Sequence, residues 1–285
     1  MAESAENRIA NVVSIAGVDP SGGAGLLADV KAISACGGYA CGVVAALTAQ
    51  NTKGVTGVLP VPAEFVKAQI DTLFEDVRID AVKIGMLDRS DLIETVADAL
   101  ERYKPKYVVL DPVMIAKSGD RLLQEDALET LRDRLLPLAT VLTPNLPEAA
   151  ALLGRETSPG EDDFEETAKA LWRLMKSRDA WVYLKGGHLE SDRSDDLLVN
   201  GAVKVPFTAK RTETKNTHGT GCTLSSAIAA YLPQTGDVPE ACLRAKAFIT
   251  GAIEHADELE VGTGHGPTNH FWNLWPKVQQ NVNLV

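Results

Sequence analysis

With 285 residues, 45% hydrophobic and 24% charged, the chain carries enough apolar material for one large α/β domain or two small ones. Its formal charge is −11, from 28 Lys+Arg against 39 Asp+Glu, and a field of that sign argues against nucleic acid as a partner. No stretch is long and apolar enough to cross a bilayer, so no membrane role is expected.

Residues 1–11 are polar and mixed in charge, and read as a flexible N-terminal tail. Val12 to Ala16 is predicted as a strand, followed by a Gly-rich turn and a helix from about Gly25, where Leu26, Leu27, Val30 and Ile33 recur at near-helical spacing. Gly42 to Leu47 is the next apolar run, and Pro62 opens a helix carrying Phe65, Val66, Ile70 and Leu73. Ala81 to Gly85 is strand-like, and Leu92, Ile93, Val96 and Leu100 mark a helix. Tyr107 to Leu110 is a strand, Leu128, Leu131 and Leu135 stripe a helix, and Thr140 to Thr143 is a strand. Phe164, Ala168, Leu171 and Met175 stripe another helix before the strand Trp181 to Leu184. Alternation this regular predicts an α/β fold with a mainly parallel central sheet and helices on both faces. The rhythm then changes. Leu197 to Val199 and Val203 to Phe207 flank Asn200-Gly201, a strong two-residue turn signal, and predict a small β-hairpin addition. Helices from about Cys222 and Pro239 close the fold, residues 276–285 read as a C-terminal tail, and 12–275 are predicted to form a single domain.

Polar and special residues gather where the predicted strands end: Asp19, Gln50-Asn51, Gly85-Met86, Asp111, Asn145 with Glu148, and Lys185-Gly186-Gly187. Any one of these is ordinary loop chemistry. Six on the same edge imply a site along the carboxyl rim of the sheet, where open α/β sheets bind ligands.

The sharpest motif is Gly219-Thr220-Gly221-Cys222, ahead of the apolar run Ala227 to Tyr231. Its glycines let backbone N–H groups converge on an anion, and the helix behind them adds its positive end; a capped helix start would show the same residues. Such a nest admits an anionic nucleotide despite the acidic net charge. Cys222 stands in the first helical turn, where the dipole is expected to lower a thiol pKa, whereas Cys36, Cys41 and Cys242 read as small core residues. There is no G-x-x-x-x-G-K-[ST], and Gly17 to Gly25 is not G-x-G-x-x-G, so P-loop and nicotinamide-dinucleotide sites are both disfavoured.

Asp29, one turn into its helix, reads either as a solvated helix charge or as a cleft-facing acceptor for a polar ligand. Asn145 and Glu148 read either as a helix cap or as an indirect Mg²⁺ site, since Mg²⁺ keeps waters and takes few carboxylates. Asp111 is placed to meet the same metal–phosphate ensemble. Lys185 reads as a surface lysine or as a point charge on a phosphate. The cysteines lack C-x-x-C spacing, which argues against zinc or disulfides and for a reducing, cytoplasmic setting. His188, His218, His255, His265 and His270 show no ligand-like spacing and are expected to be structural.

Taken in chain order, Ala16 to Gly25, Ala28-Asp29, Ala46 to Thr52, Lys83 to Leu87, Leu110 to Met114, Thr143 to Ala149, Leu184 to His188, Asn216 to Cys222 and Gly264 to Phe271 resemble a known family. It is the hydroxymethylpyrimidine and phosphomethylpyrimidine kinases of thiamine biosynthesis, within the ribokinase-like superfamily, and the likeness runs from about Val12 to Trp272. The resemblance implies a three-layer sandwich, a homodimer, and two ATP-dependent phosphorylations with Mg²⁺, first of the hydroxymethyl group and then of the resulting monophosphate. Carried over by motif, Asp29 and Gln50 hydrogen-bond the aminopyrimidine, and Gly17, Met86 and Val113 line its pocket. Lys185, Thr217, Gly219 and Gly221 serve the nucleotide. Asp111, Asn145 and Glu148 serve Mg²⁺ indirectly, through water or phosphate. Gly219, Thr220 and Gly221 form the anion hole, with Lys185 beside it, and Cys222 is the candidate base where the wider superfamily carries an aspartate. The stretch Glu190 to Ser194 looks slightly longer than the family's usual loop, which leaves the part played by Asp195 and Asp196 open. Two rivals stand beside this reading: a pyridoxal kinase, since related enzymes accept both ring types, and a non-catalytic pyrimidine sensor. Retention of Lys185, Cys222 and the nest argues against the sensor.

Overall fold

The computed structural model describes residues 8–114, 123–124, 126–160, 162–187 and 192–275. In chain order the elements are β1 (Asn11–Val18), α1 (Gly25–Ala35), β2 (Tyr39–Asn51), β3 (Gly54–Pro60), α2 (Ala63–Asp76), β4 (Ala81–Ile84), α3 (Ser90–Tyr103) and β5 (Tyr107–Leu110). They continue with α4 (Ala127–Thr130), β6 (Val141–Leu142), α5 (Leu146–Leu152), α6 (Phe164–Leu174), β7 (Trp181–Leu184), β8 (Arg193–Asn200), β9 (Val203–Lys210), α7 (Thr220–Thr235) and α8 (Val238–Glu254). One nine-stranded sheet runs β3-β2-β1-β4-β5-β6-β7-β8-β9. The six central strands pair in parallel, and β3, β8 and β9 add antiparallel margins.

Strand alternation builds two cores. Val13, Ile15, Val82, Ile84, Val108 and Leu110 face the layer of α2, α3, α5 and α6. Val12, Ala81, Tyr107, Val109 and Tyr183 face the layer of α1, α7 and α8. The same alternation turns two polar residues, Ser14 and Lys83, toward the second layer, where they become the floor of the site. Helix α7 is buried nearly all round, as befits a helix wedged between α1, α8 and the sheet.

The sandwich agrees with the sequence reading, and four details differ. No strand was predicted between Leu47 and Pro62, yet β2 continues to Asn51 and turns through Thr52-Lys53 into β3. Most of β3 is exposed, so it carries no apolar face that alternation could reveal. The helix striped by Leu128, Leu131 and Leu135 is a single α-turn that widens into a π-turn at Leu131–Leu135 and tightens to a 3₁₀ turn at Leu136–Leu138, where Pro137 lacks an N–H. In the β8–β9 hairpin, Asn200 pairs with Val203, so the loop is Gly201-Ala202, with Gly201 at φ 55°. Helix α7 begins at Thr220, two residues before Cys222. The predicted tails fall largely outside the described residues, at 1–7 and 276–285, and β1 starts at Asn11.

Candidate active site

Gly219 caps α7 in the left-handed region at φ 76°, and a Cβ there would lie 1.8 Å from the Gly23 carbonyl oxygen. The backbone of the helix start therefore touches the Gly-rich turn after β1, and only glycine permits it. His218 Nε2 lies 2.7 Å from Asp19 Oδ2, which clamps the two loops together. Asp19 also accepts the Ser21 and Ala24 N–H groups and the Ser21 hydroxyl. Burial pushes its pKa up, but bonds from His218 and Ser21 outweigh that and hold the carboxyl below its ordinary value. The Thr220 hydroxyl donates to the Thr217 carbonyl at 2.8 Å, folding Thr217 against the helix start.

Beside this nest stands a buried charge cluster at the ends of β5, β6 and β7. Lys185 Nζ is 3.0 Å from Asp111 Oδ1 and 3.9 Å from Glu148 Oε2. A Cβ on Gly221 would lie 3.1 Å from Lys185 Nζ and 3.5 Å from Asp111 Oδ2, so the nest glycine rests directly on this pair. Thr143 and Ser225 also donate to Asp111. Burial opposes ionisation of Asp111, but Lys185 and Lys83 overcome it and hold the pKa low. Glu148 goes the other way: burial, added to the charge of Asp111, pushes it up to about 7 despite Lys185. Asn145 and Glu148 form a full capping box on α5, each side chain bonded to the other's N–H at 2.8 Å. The capping alternative is thus realised, and the Asn145 side-chain oxygen is committed to it.

Beneath the nest lies a second ion pair. Lys83 Nζ is 2.9 and 2.8 Å from the two oxygens of Asp29, and both side chains are 0% exposed. Ser226 donates to Asp29 Oδ1 at 2.8 Å and Ser14 to Oδ2 at 2.6 Å. Asp29 therefore joins α1, β1, β4 and α7, with both oxygens occupied. It is neither the solvated charge nor the cleft-facing acceptor that its place in the sequence suggested. Burial works against the charge on Lys83, but Asp29 chiefly, then Cys222 and Asp111, hold its pKa above the ordinary lysine value.

Cys222 is half-buried above this pair, and its sulfur receives the Gly25 N–H. The expected lowering of its pKa does not occur. Burial is the chief cause and pushes the thiol up to about 11; Lys83 and the Gly25 amide pull it down, and Asp29 and Asp111 push it further up. Of the expected ring-binding residues, Gly17 and Met86 meet, since a Cβ on Gly17 would lie 2.7 Å from Met86 Cε. Val113 follows Asp111 and donates to its carbonyl at 2.8 Å. Gln50, near the end of β2, borders the same small hollow as His218 and takes a bond from Thr48 at 3.1 Å.

A family model described as phosphomethylpyrimidine kinase matches residues 19–269. The chain belongs to the phosphomethylpyrimidine kinase family. It is 49% identical to the hydroxymethylpyrimidine/phosphomethylpyrimidine kinase of Escherichia coli and 51% identical to that of Salmonella typhimurium, over 93% of this chain and 98% of each relative. The crystal structure of an ADP complex of Bacillus subtilis pyridoxal kinase superposes with a TM-score of 0.83 at 34% identity, covering 93% of this chain and 98% of that one. The chain is accordingly a phosphotransferase with a ribokinase-like fold.

The pairing of Lys83 with Asp29, the Ser14 and Ser226 bonds to it and the Asp19–His218 clamp are not marked in the sequence by any motif read above. Lys83 carried a usable signal, a lysine inside an otherwise apolar strand. Of the histidines, His188 lies outside the described residues. His270 is buried against Thr223, and burial, helped by Lys31, pushes it down to about 3. His255 stacks on Trp272. Among the described residues, no group of His, Cys, Asp and Glu is arranged to cage a metal by itself, and no helix is long and apolar enough to cross a membrane.

Proposed function

We propose that this chain phosphorylates hydroxymethylpyrimidine with ATP and then phosphorylates the monophosphate, supplying the pyrimidine half of thiamine. The observation that carries this reading is the meeting of the 219–221 nest with Lys185, Asp111 and Glu148 at one rim of the sheet. In the first reaction the substrate hydroxyl oxygen bonds to the γ-phosphorus, the bond to the β–γ bridging oxygen breaks, and the hydroxyl proton is released. The nest N–H groups at the α7 start face the transferring phosphoryl group, and Lys185 neutralises charge on the nucleotide phosphates. In the second reaction a phosphate oxygen of the monophosphate takes the place of the hydroxyl at the same nest. Gln50 holds the ring, with Gly17, Met86 and Val113 around it; Asp29 acts on the site from beneath, through Lys83 and Ser226. Cys222, with its thiol protonated at neutral pH, shapes the pocket next to the reacting oxygen.

The acid cluster fits Mg²⁺. Asp111 and Glu148 outnumber the one lysine between them, and Glu148 is raised first by burial and then by the neighbouring charge of Asp111, which a bound cation would offset. With the Asn145 side chain committed to its cap, Mg²⁺ would be held mainly by phosphate and water, with Asp111 and Glu148 as outer partners, and would supply neutralising charge to the phosphates. Residues 12–275 act as one kinase domain in the cytoplasm. A homodimer is supported by exposed apolar side chains on and beside the β2–β3 hairpin, namely Leu47, Val58, Leu59 and Phe65.

The structural likeness to a pyridoxal kinase favours one second reading, a side activity on pyridoxal. The test of both is phosphoryl transfer from ATP to hydroxymethylpyrimidine, its monophosphate, pyridoxal and pyridoxine, side by side. The pyrimidines are expected to lead in kcat/KM. Turnover of pyridoxal above either pyrimidine would reverse the assignment, and binding without turnover on any of them would make the chain a sensor.

A further inference from the structure

Asp196 lies on β8 at 5% exposure, one residue beyond the last paired position of the β7–β8 ladder, which sets it alongside Lys185. Its Oδ1 accepts the Gly186 N–H at 2.9 Å. Its Oδ2 accepts the Tyr183 hydroxyl at 2.8 Å and the Lys246 ammonium at 2.7 Å. Lys246 comes from α8, is 8% exposed, and donates also to the Ser194 carbonyl at 2.8 Å. The neighbouring Asp195 is only half-buried and pairs with the exposed Arg193, whereas Asp196 is buried, so the two adjacent aspartates differ in setting.

We infer that Asp196, held by Lys246 and Tyr183, is a positioning residue that orients the Lys185-Gly186 peptide and so aims Lys185 at the nucleotide phosphates. The inference rests on the reading of Lys185 as a phosphate contact. Three observations carry it. A buried ion pair gives little net stability compared with apolar residues of the same shape, so its stability alone does not account for the arrangement. The carboxylate oxygen not bound to Lys246 goes to the one amide that immediately follows the phosphate-binding lysine. Finally, a Cβ on Gly186 would lie 1.9 Å from the Asp195 carbonyl oxygen, so the β8 backbone packs directly on this turn and only glycine fits between them. Helix α8 therefore reaches the nucleotide through a chain of Lys246, Asp196 and the Gly186 amide, without touching it.

Two doubly substituted proteins separate positioning from packing. Asp196→Asn with Lys246→Met keeps an oxygen for the Gly186 N–H, with the amide NH₂ donating to Tyr183. Asp196→Leu with Lys246→Met removes that acceptor while keeping the shape. The KM for ATP is expected to stay within about threefold of the parent in the Asn variant and to rise at least tenfold in the Leu variant, with the pyrimidine KM unchanged in both. Equal ATP KM in the two variants overturns the inference, as does a Leu variant in which kcat and both KM values fall or rise together in step with Tm. Should the Leu variant not fold, amide hydrogen exchange on the unsubstituted protein decides. The Gly186 N–H is expected to be as protected as those of β7, and rapid exchange there overturns the inference. Lys185→Met tests the underlying reading separately. If it leaves the ATP KM unchanged, Lys185 is no phosphate contact and the positioning role falls with it; if it raises KM while the Leu variant does not, only the positioning role fails.

Discussion

Asp29→Asn is the substitution that best separates what the structure shows from what the position of Asp29 in the sequence suggests. The change is isosteric, and it leaves Lys83 buried without its counter-charge. Removing one partner of a buried ion pair costs about 3–5 kcal/mol, because the remaining charge stays desolvated. For a chain of this size each kcal/mol lowers Tm by roughly 2–4 °C, which gives a loss on the order of 6–20 °C. Ser14 and Ser226 still bond the Asn side chain and pull the value toward the lower end. Lys83→Met is expected to cost a similar amount, since Asp29 then keeps only two hydroxyl donors. The double variant Asp29→Asn with Lys83→Met should cost clearly less than the sum, because no unpaired charge is left. Thermal unfolding followed by circular dichroism gives the stability, and steady-state kinetics at 20 °C give both KM values. The reasoning is refuted if Asp29→Asn changes Tm by less than about 2 °C while raising the pyrimidine KM more than tenfold. That outcome would place the carboxylate on the substrate rather than on Lys83.

Gly219→Ala forces a side chain into the left-handed region and against the Gly23 carbonyl, so the nest must open. A fall in kcat of about 10²-fold or more is expected, and a change under threefold would remove the nest from phosphoryl transfer. Burial pushes Glu148 up to about 7, so it holds its proton in the free protein below that pH, while the proposed function uses it as a carboxylate near Mg²⁺. On the acid side kcat/KM should therefore rise as pH climbs through about 7, and this limb should vanish in Glu148→Gln; an identical limb in the variant assigns it to another group. The stability effect has the opposite sign, because the folded pKa lies above the ordinary 4.5: the contribution is full below 4.5 and is lost as pH rises through about 7. Cys222→Ala is expected to keep turnover within about 10²-fold, since a thiol pushed up to about 11 is a poor base at neutral pH. Cys222→Asp should retain more turnover than Cys222→Ala, and equal rates in the two would argue against any proton transfer from this position.

Most of the fold was legible because its signals are local. Strands β4, β5 and β7 are short, apolar and buried on both faces, and the helices between them show clear stripes. The end of β2 and the whole of β3 escaped because β3 is mostly exposed and no apolar alternation marks it. At the site, the places of Gly219 at the α7 start and of Lys185 at the end of β7 could be read from glycine placement and strand ends. The pairing of Lys83 with Asp29 could not, since 54 residues separate them and only the parallel pairing of β4 with β1 brings them together. The contrast between Asp195 and Asp196 was illegible for the same reason: a one-residue step along β8 moves a side chain from the Arg193 pair to the Lys246 contact.

The acidic net charge and the anionic nucleotide are reconciled by how the site holds its cations. Lys83 and Lys185 are both enclosed, and an enclosed lysine without a partner would shed its proton rather than stay charged. Asp29 and Asp111 prevent that, and both lysines are held above their ordinary pKa against the effect of burial. The aspartates that sequence reasoning assigned to ring and metal thus act first on lysines. Their pairing also means that the free site carries little net positive charge. On the proposed reading, affinity for a polyphosphate comes from the N–H groups of the α7 start and from Mg²⁺, with Lys185 as a pre-aimed donor whose orientation is settled on folding. In such a site the placement of a cation matters more than its presence, and the buried carboxylates are what set that placement.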